Sequence, residues 1–358
     1  MSGATLQIRS EVPLAPHTTI GLGGPARFFA ECATPDQIRE ALAFAREKKL
    51  ALHVLGGGSN TIFADRGFDG LVLRVGLRGI SVSDHRGARL LAAAAGEPWD
   101  DVVKESVRLG LAGLECLSGI PGFAGGTPIQ NVGAYGQEVG ETILTVQAIE
   151  RETLATVVFT AGECRFGYRM SRFKREDAGR YIVIGVTFAL ANEGSPVIRY
   201  EELRKALQGA AGSAGEPGGE PGLESVRNAV LSLRKRKSMV VDPADPNSRS
   251  VGSFFMNPVL SAAAYEDLAK RWAAGGGNGP VPAFAAGPTF KVPAAWLVER
   301  SGFPKGFRQG GVAVSDHHAL ALVNRGCTTA ELLALAMEIE RAVHTRFGLA
   351  LQREPVVV

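Results

Sequence analysis

A glycine-rich turn, GGGSN at Gly56 to Asn60, has strand-like runs on both sides, and this arrangement limits the fold more than any other feature of the chain. Residues 50–56 (LALHVLG) carry a buried-strand pattern, and TIFAD and then GLVLRV follow with strand character. A doubly wound dinucleotide fold needs its glycine turn to open a long helix whose N-terminus holds a pyrophosphate. No such helix pattern follows Asn60, which argues against that fold. A second formal match, GLGGPA at Gly21 to Ala26, has no apolar strand before it and an extended-looking RFFAEC after it. The turn itself has two readings: successive backbone N–H groups form a nest for an anion, with Ser59 and Asn60 adding donors, or they form a tight strand-to-strand turn.

The 358 residues, 45% of them hydrophobic, suit two or three domains with a core in each. Net charge is only +3, which gives no broad basic surface for nucleic acid. Cys32, Cys116, Cys164 and Cys327 show neither CxxC nor metal-ligand spacing, and none of the six histidines has convincing metal spacing, His317 and His318 included. No metal is expected. The opening residues lack a basic region followed by an apolar one, and the apolar run at 181–191 is short and broken by Gly185. A soluble, cytoplasmic protein is expected.

Along the chain, Thr34 and Pro35 open a helix with Ile38, Leu42 and Ala45 on one face. PWDDVVKESVRLG at 98–110 is a second helix closed by Gly110, followed by a stretch of glycine and small residues up to Gly136. That stretch cannot be an ordinary core element and is the expected floor of a binding cleft. ILTVQAIE, ATVVFTA and YIVIGVTFALA are strand-like. Residues 209–222 (GAAGSAGEPGGEPG) look like a surface loop or linker, and a helix follows through ESVRNAVLSLRKRKS. Helices are expected at about 261–273 and 293–301 and from the capping box Thr328 to Glu331, with strands around VAVSD and LALVN. The expected class is α+β, divided into 1–76, 77–237 and 238–347, with 348–358 returning as a strand to the middle part.

Gln130, Asn131 and Tyr135 stand among small residues where a flat ring can lie against backbone, although the two carboxamides also suit loop carbonyls. Arg169, in FGYR, is a fixed cation for a developing enolate or else half of a surface ion pair. Ser253, between Gly252 and two phenylalanines, is a candidate proton donor in a dry pocket or a turn serine. Residues 234–237 (RKRK), at a helix end, can grip a diphosphate or form a solvated face. Glu354 flanks the same cleft or closes a strand.

As a set, GGGSN, IPGFAGGTPIQNVGAYG, ECRFGYR, LRKRKS, GSFFMNP, AAWLVERSG and the terminal REPV resemble the UDP-N-acetylenolpyruvoylglucosamine reductases, also called UDP-N-acetylmuramate dehydrogenases. The likeness runs from about His17 to Glu354, and Tyr200 in IRYEEL matches the loop tyrosine of the type I branch. It implies a two-part FAD-binding region of the vanillyl-alcohol-oxidase type over 1–76 and 77–237, and a UDP-sugar domain over 238–347. NADPH would reduce the flavin, and hydride from flavin N5 would then go to C3 of UDP-N-acetylglucosamine enolpyruvate, with a proton from Ser253 to C2. The product is a precursor of peptidoglycan. Carried over by motif, Gly56, Gly57, Gly58, Ser59, Asn60, Gly126, Thr127, Gln130, Asn131 and Tyr135 would hold FAD. Arg169 would stabilise the enolate, Ser253 supply the proton and Glu354 assist, while Tyr168, Tyr200, Arg234, Lys237 and Asn257 would bind the sugar nucleotide. The resemblance also implies a monomer whose partners are small molecules, with neither nucleic acid nor membrane. Two other readings stay open: a flavin oxidase on the same scaffold acting on another sugar or alcohol, and a nucleotide-sugar binder without catalysis.

Overall fold

The strands on either side of the glycine turn belong to two different compact units in the computed structural model, which describes residues 5–85, 88–192, 194–214 and 221–358. The first unit takes the described parts of residues 1–12, 26–57 and 69–240, and the second takes 13–25, 58–68 and 241–358. The division therefore falls inside GGGSN, between Gly57 and Gly58.

In the first unit a four-stranded sheet runs in the order Ile8–Pro13, Pro25–Cys32, Phe68–Val75, Ala51–Leu55, the last two parallel. Helix Pro35–Glu47 links Pro25–Cys32 to Ala51–Leu55, and the parallel pair itself is joined by residues 56–67, which include the glycine turn and the short strand Thr61–Ile62. It starts as expected, with the Thr34 hydroxyl accepting from the Gln37 N–H, and buries Ile38, Ala41, Leu42 and Ala45. A larger sheet has the order Thr156–Thr160, Ile143–Glu150, Tyr181–Asn192, Ala88–Ala94, Ile80–His85, with Leu111–Ala112 pairing the end of Tyr181–Asn192. The central strand buries Val186, Phe188 and Leu190 at period two. Trp99, 1% exposed, opens helix Trp99–Arg108, packs on Phe188 and donates its indole N–H to Leu117 O at 3.1 Å. Both sheets share one core, so residues on either side of position 76 are not separate hydrophobic bodies.

Residues 209–214 differ from expectation. They complete helix Glu201–Ala214, while 215–220 lie outside the described residues. Leu203 and Leu207, one turn apart, bury against Val226, Val230 and Leu233 of helix Leu223–Arg236. That packing carries the helix into a stretch whose composition suggests a loop.

The second unit has its own core, built from Phe254, Phe255, Trp272 and helices Ala262–Ala274, Ala294–Arg300 and Thr329–Phe347. The capping box at Thr328 and Glu331 is formed. The small sheets Val259–Ser261, Thr289–Lys291, Phe284–Ala286 and Arg308–Gln309, Val312–Val314, Leu322–Asn324 flank that core. Strand Val356–Val357 pairs in parallel with Thr61–Ile62 of the same unit, not with the 77–237 region. The physical reason is local: Val356 N–H donates to Asn60 O, Val358 N–H to Ile62 O and Ala64 N–H to Val358 O.

Candidate active site

The first unit holds Gly56, Gly57, Gly126, Thr127, Gln130, Asn131, Tyr135, Tyr168, Arg169, Tyr200, Arg234 and Lys237; the second holds Gly58, Ser59, Asn60, Ser253, Asn257 and Glu354.

Within the first unit the glycine turn meets the small-residue loop backbone to backbone. A Cβ on Gly57 would lie 2.7 Å from Gly122 Cα. Beside this tight contact, a Cβ on Gly56 would meet nothing nearer than Phe123 Cβ at 4.0 Å, and one on Gly126 nothing within 4 Å. Two bare backbone stretches thus stand next to open space, the local geometry that lets main-chain N–H groups approach a diphosphate or a flat ring. The residues present fit FAD on this ground. Thr127 is buried and gives its hydroxyl hydrogen to Ala124 O at 2.7 Å, so it braces the loop.

Asn131 is 2% exposed, and its carboxamide serves the protein itself. Nδ2 donates to Glu138 Oε2 at 2.6 Å and Gly167 O at 3.0 Å, while Oδ1 accepts from Gly140 N–H at 2.9 Å. Of the two readings of this side chain, satisfaction of loop groups is the one the geometry favours, because both amide hydrogens are used. The segment it grips, FGYR, is a tight turn closed by reciprocal Gly167–Met170 backbone bonds, with Arg169 at φ +52°. Arg169 Nη2 donates to Gly133 O at 2.8 Å, and its guanidinium stands 5.5 Å from the centre of the Tyr168 ring. A half-exposed cation is thereby anchored at one nitrogen. Glu138 and Gly133, paired across the short hairpin Gly133–Ala134/Gln137–Glu138, were not among the residues expected from sequence. The available signal was a lone carboxylate closing a small-residue stretch, NVGAYGQE.

Tyr135 is placed with the sugar-nucleotide candidates of this unit. Its ring meets Tyr200 edge to face at 5.8 Å, and Lys237 Nζ lies 5.9 Å from its centre. Burial pushes the Tyr135 phenol up to about 12, so it is a neutral donor at working pH. Lys237 pairs with Glu202 at 2.6 Å. Arg234 is 7% exposed and donates to Met239 O at 2.7 Å, while its Nε has no partner. Burial lowers its guanidinium to about 10, and it remains a cation at neutral pH. The helix carrying it is tied down by Arg227, which grips Asp100 with two bonds of 2.7 Å. Burial alone would raise the Asp100 carboxyl, but the bonds from Arg227 and Gly119 N–H outweigh it and the net shift is downward.

In the second unit the chain ends beside the GSFFMNP segment. Glu354 N–H donates to Phe254 O at 2.9 Å, and Phe255 and Arg353 form an antiparallel bridge. The Asn60 amide donates to Glu354 O at 3.3 Å, so Asn60, Glu354 and the Ser253 segment are knitted together. Gly252, at φ +76°, makes the turn that precedes Ser253. Gly58, at φ +67°, is pressed on His17 O, where a Cβ would come within 2.0 Å. Asn257 Oδ1 caps helix Ala294–Arg300 by accepting from Ala294 N–H at 2.8 Å, which leaves its amide hydrogens for a ligand. Among the described residues, no cluster of His, Cys, Asp and Glu is arranged to hold a metal.

Residues 26–153 match the model of an FAD binding domain, and 243–358 match that of the UDP-N-acetylenolpyruvoylglucosamine reductase C-terminal domain. The chain is 45% identical to the UDP-N-acetylenolpyruvoylglucosamine reductase of Thermobifida fusca, over 99% of each chain. It is 44% identical to that of Mycobacterium tuberculosis, over 99% of this chain and 96% of the other. The crystal structure of UDP-N-acetylenolpyruvylglucosamine reductase from Thermus caldophilus superposes with a TM-score of 0.63 at 23% identity, covering 99% and 98% of the two chains.

Proposed function

The chain belongs to the UDP-N-acetylenolpyruvoylglucosamine reductase family, and from that premise we propose that it reduces UDP-N-acetylglucosamine enolpyruvate to UDP-N-acetylmuramate with NADPH as the electron source. It is an FAD-dependent oxidoreductase of peptidoglycan precursor synthesis, with the α+β architecture and vanillyl-alcohol-oxidase-type flavin region expected for one. The observation that carries the proposal is the 45% identity to the Thermobifida fusca reductase along essentially the whole of both chains.

FAD held along the bare main chain at Gly56 and Gly126 would supply hydride chemistry between NADPH and C3 of the enolpyruvyl group. This chain's own residues would do the rest. Gly56 and Gly126 leave main chain bare for the cofactor, while Gly57 and Gly58 let the turn pack closely on Gly122 and on His17. Arg169, anchored through Nη2 on Gly133 O, would hold the substrate carboxylate and stabilise the enolate as negative charge spreads onto it. Ser253 would give its hydroxyl proton to C2, with Glu354 assisting. Arg234, Lys237, Tyr135 and Tyr200 would receive the UDP diphosphate, a buried guanidinium being a strong anion ligand once it is paired. Asn257, oriented by Ala294 N–H, would present its amide hydrogens to the same ligand. The same reading makes the enzyme a cytoplasmic monomer. Its four cysteines are buried and free, in keeping with a reducing compartment.

The test is an anaerobic visible spectrum of the FAD-loaded protein. Bleaching by NADPH and recovery of the yellow colour on adding UDP-N-acetylglucosamine enolpyruvate are the expected results. A flavin that bleaches but is not recoloured by the sugar would overturn the substrate.

A further inference from the structure

The Asn131–Glu138 pair is placed to aim Arg169. Glu138 Oε2 takes one Nδ2 hydrogen of Asn131 and Gly167 O takes the other, while Gly140 N–H occupies Oδ1. The amide cannot be flipped without setting its oxygen against the Glu138 carboxylate and Gly167 O, so the carboxylate fixes its orientation. Asn131 thereby holds the carbonyl two residues before Arg169, inside a turn in which Arg169 itself sits at φ +52°, an unfavourable region for a side-chain-bearing residue.

The other end of the clamp acts on the guanidinium. Arg169 Nη2 is bonded to Gly133 O, and Gly133 pairs with Glu138 in the hairpin. A Cβ on Gly133 would lie 2.9 Å from Glu138 Cγ and 3.2 Å from Arg169 Nη1, so the carboxylate stem and the guanidinium flank the same glycine. Backbone and guanidinium of Arg169 are therefore both referred to one short hairpin.

We propose that Glu138, acting through Asn131, is a positioning residue that sets the place and orientation of the Arg169 guanidinium for the substrate carboxylate. This rests on the enolate-stabilising role proposed for Arg169. Glu138 touches neither substrate nor cofactor in this scheme.

The experiment uses the FAD-loaded full chain with two variants, Glu138→Ala and the conservative Glu138→Gln, whose amide oxygen still accepts from Asn131. Expected for Glu138→Ala is a 10- to 100-fold slower recolouring by the enolpyruvyl sugar at unchanged flavin content and unchanged bleaching by NADPH. Glu138→Gln should recover most of that rate. Normal recolouring in Glu138→Ala overturns the proposal, and so does an equal loss in both half-reactions, which would mark a merely structural residue. A crystal structure of Glu138→Ala provides a readout independent of turnover. Displacement of Arg169 Nη2 from Gly133 O supports the proposal, and an unmoved guanidinium overturns it even if the wild type proves inactive on this sugar. If Glu138→Ala fails to fold, Gly133→Ala is the second variant: its Cβ should displace the guanidinium and slow recolouring selectively, and an unchanged rate overturns the proposal.

Discussion

At the residue scale the chemistry rests on a few polar groups whose surroundings set their state. Arg234 carries a desolvation penalty: burial lowers it to about 10, below the range of an exposed guanidinium, and it is protonated both folded and unfolded at pH 7. The unfolded chain binds protons more tightly, so stability rises with pH only above about 10, and at neutral pH the charge costs about 3 kcal/mol. Arg234→Met should leave the melting temperature unchanged or higher and weaken UDP binding by about 10-fold or more, measured by calorimetry. A lower melting temperature with unchanged UDP binding would make the arginine structural. Ser253→Ala should leave bleaching by NADPH intact and slow recolouring by the sugar by about 10²-fold, read by stopped flow. Equal rates would remove Ser253 from the mechanism. Motif and residue type made Arg169 and Ser253 candidates from sequence, because a cation and a hydroxyl in glycine-rich segments are unusual enough to notice. Asn131 stood out in the sequence, but its bonding partners did not, since a carboxamide gives the same letter whether it bonds a ligand or a loop carbonyl.

At the element scale, the strand Ala51–Leu55 carries a histidine whose burial opposes its protonation. Burial lowers His53 to about 4, below the 6.5 of an exposed imidazole. Above pH 6.5 it is neutral in both states and contributes nothing. As pH falls from 6.5 to 4 the unfolded chain takes up the proton first, and stability is lost by at most about 3 kcal/mol. His53→Gln should flatten the fall in thermal stability across that window, and an unchanged pH profile would show that His53 is not responsible. The helices at Pro35 and Thr329 were legible because cap residues and apolar spacing coincide there, and the one at Trp99 because apolar spacing meets a closing glycine, Gly110. Helix Glu201–Ala214 was not anticipated, because alanine favours a helix while the interspersed glycine and serine oppose it, and contact with Leu223–Arg236 decides the outcome. The strands Ile80–His85 and Ala88–Ala94 escaped notice because polar letters interrupt the first and alanines weaken the second.

At the scale of the whole molecule, the second unit is assembled from chain segments far apart, and its last residues close it. Removing Pro355–Val358 deletes the backbone bonds to Asn60, Ile62 and Ala64 and frees Thr61–Ile62. Bonds of this kind contribute about 1 kcal/mol each. The truncated chain should melt several degrees lower and be cut sooner by protease within residues 241–354, and a melting temperature equal to that of the full chain would refute the closing role. Sequence alone determined the class of the fold, the exclusion of a doubly wound topology, most helix starts and the candidates for the reacting groups. These follow from local periodicity, caps and motif chemistry, which nearest neighbours in the chain decide. The tertiary structure alone decided that the glycine turn divides two units, that the C-terminus joins Thr61–Ile62, that Tyr135 stands with Tyr200, and that Asn131 bonds Glu138 and the FGYR turn. Each of these is a pairing between groups distant in sequence, set by which surfaces bury together and which polar atoms must then find partners.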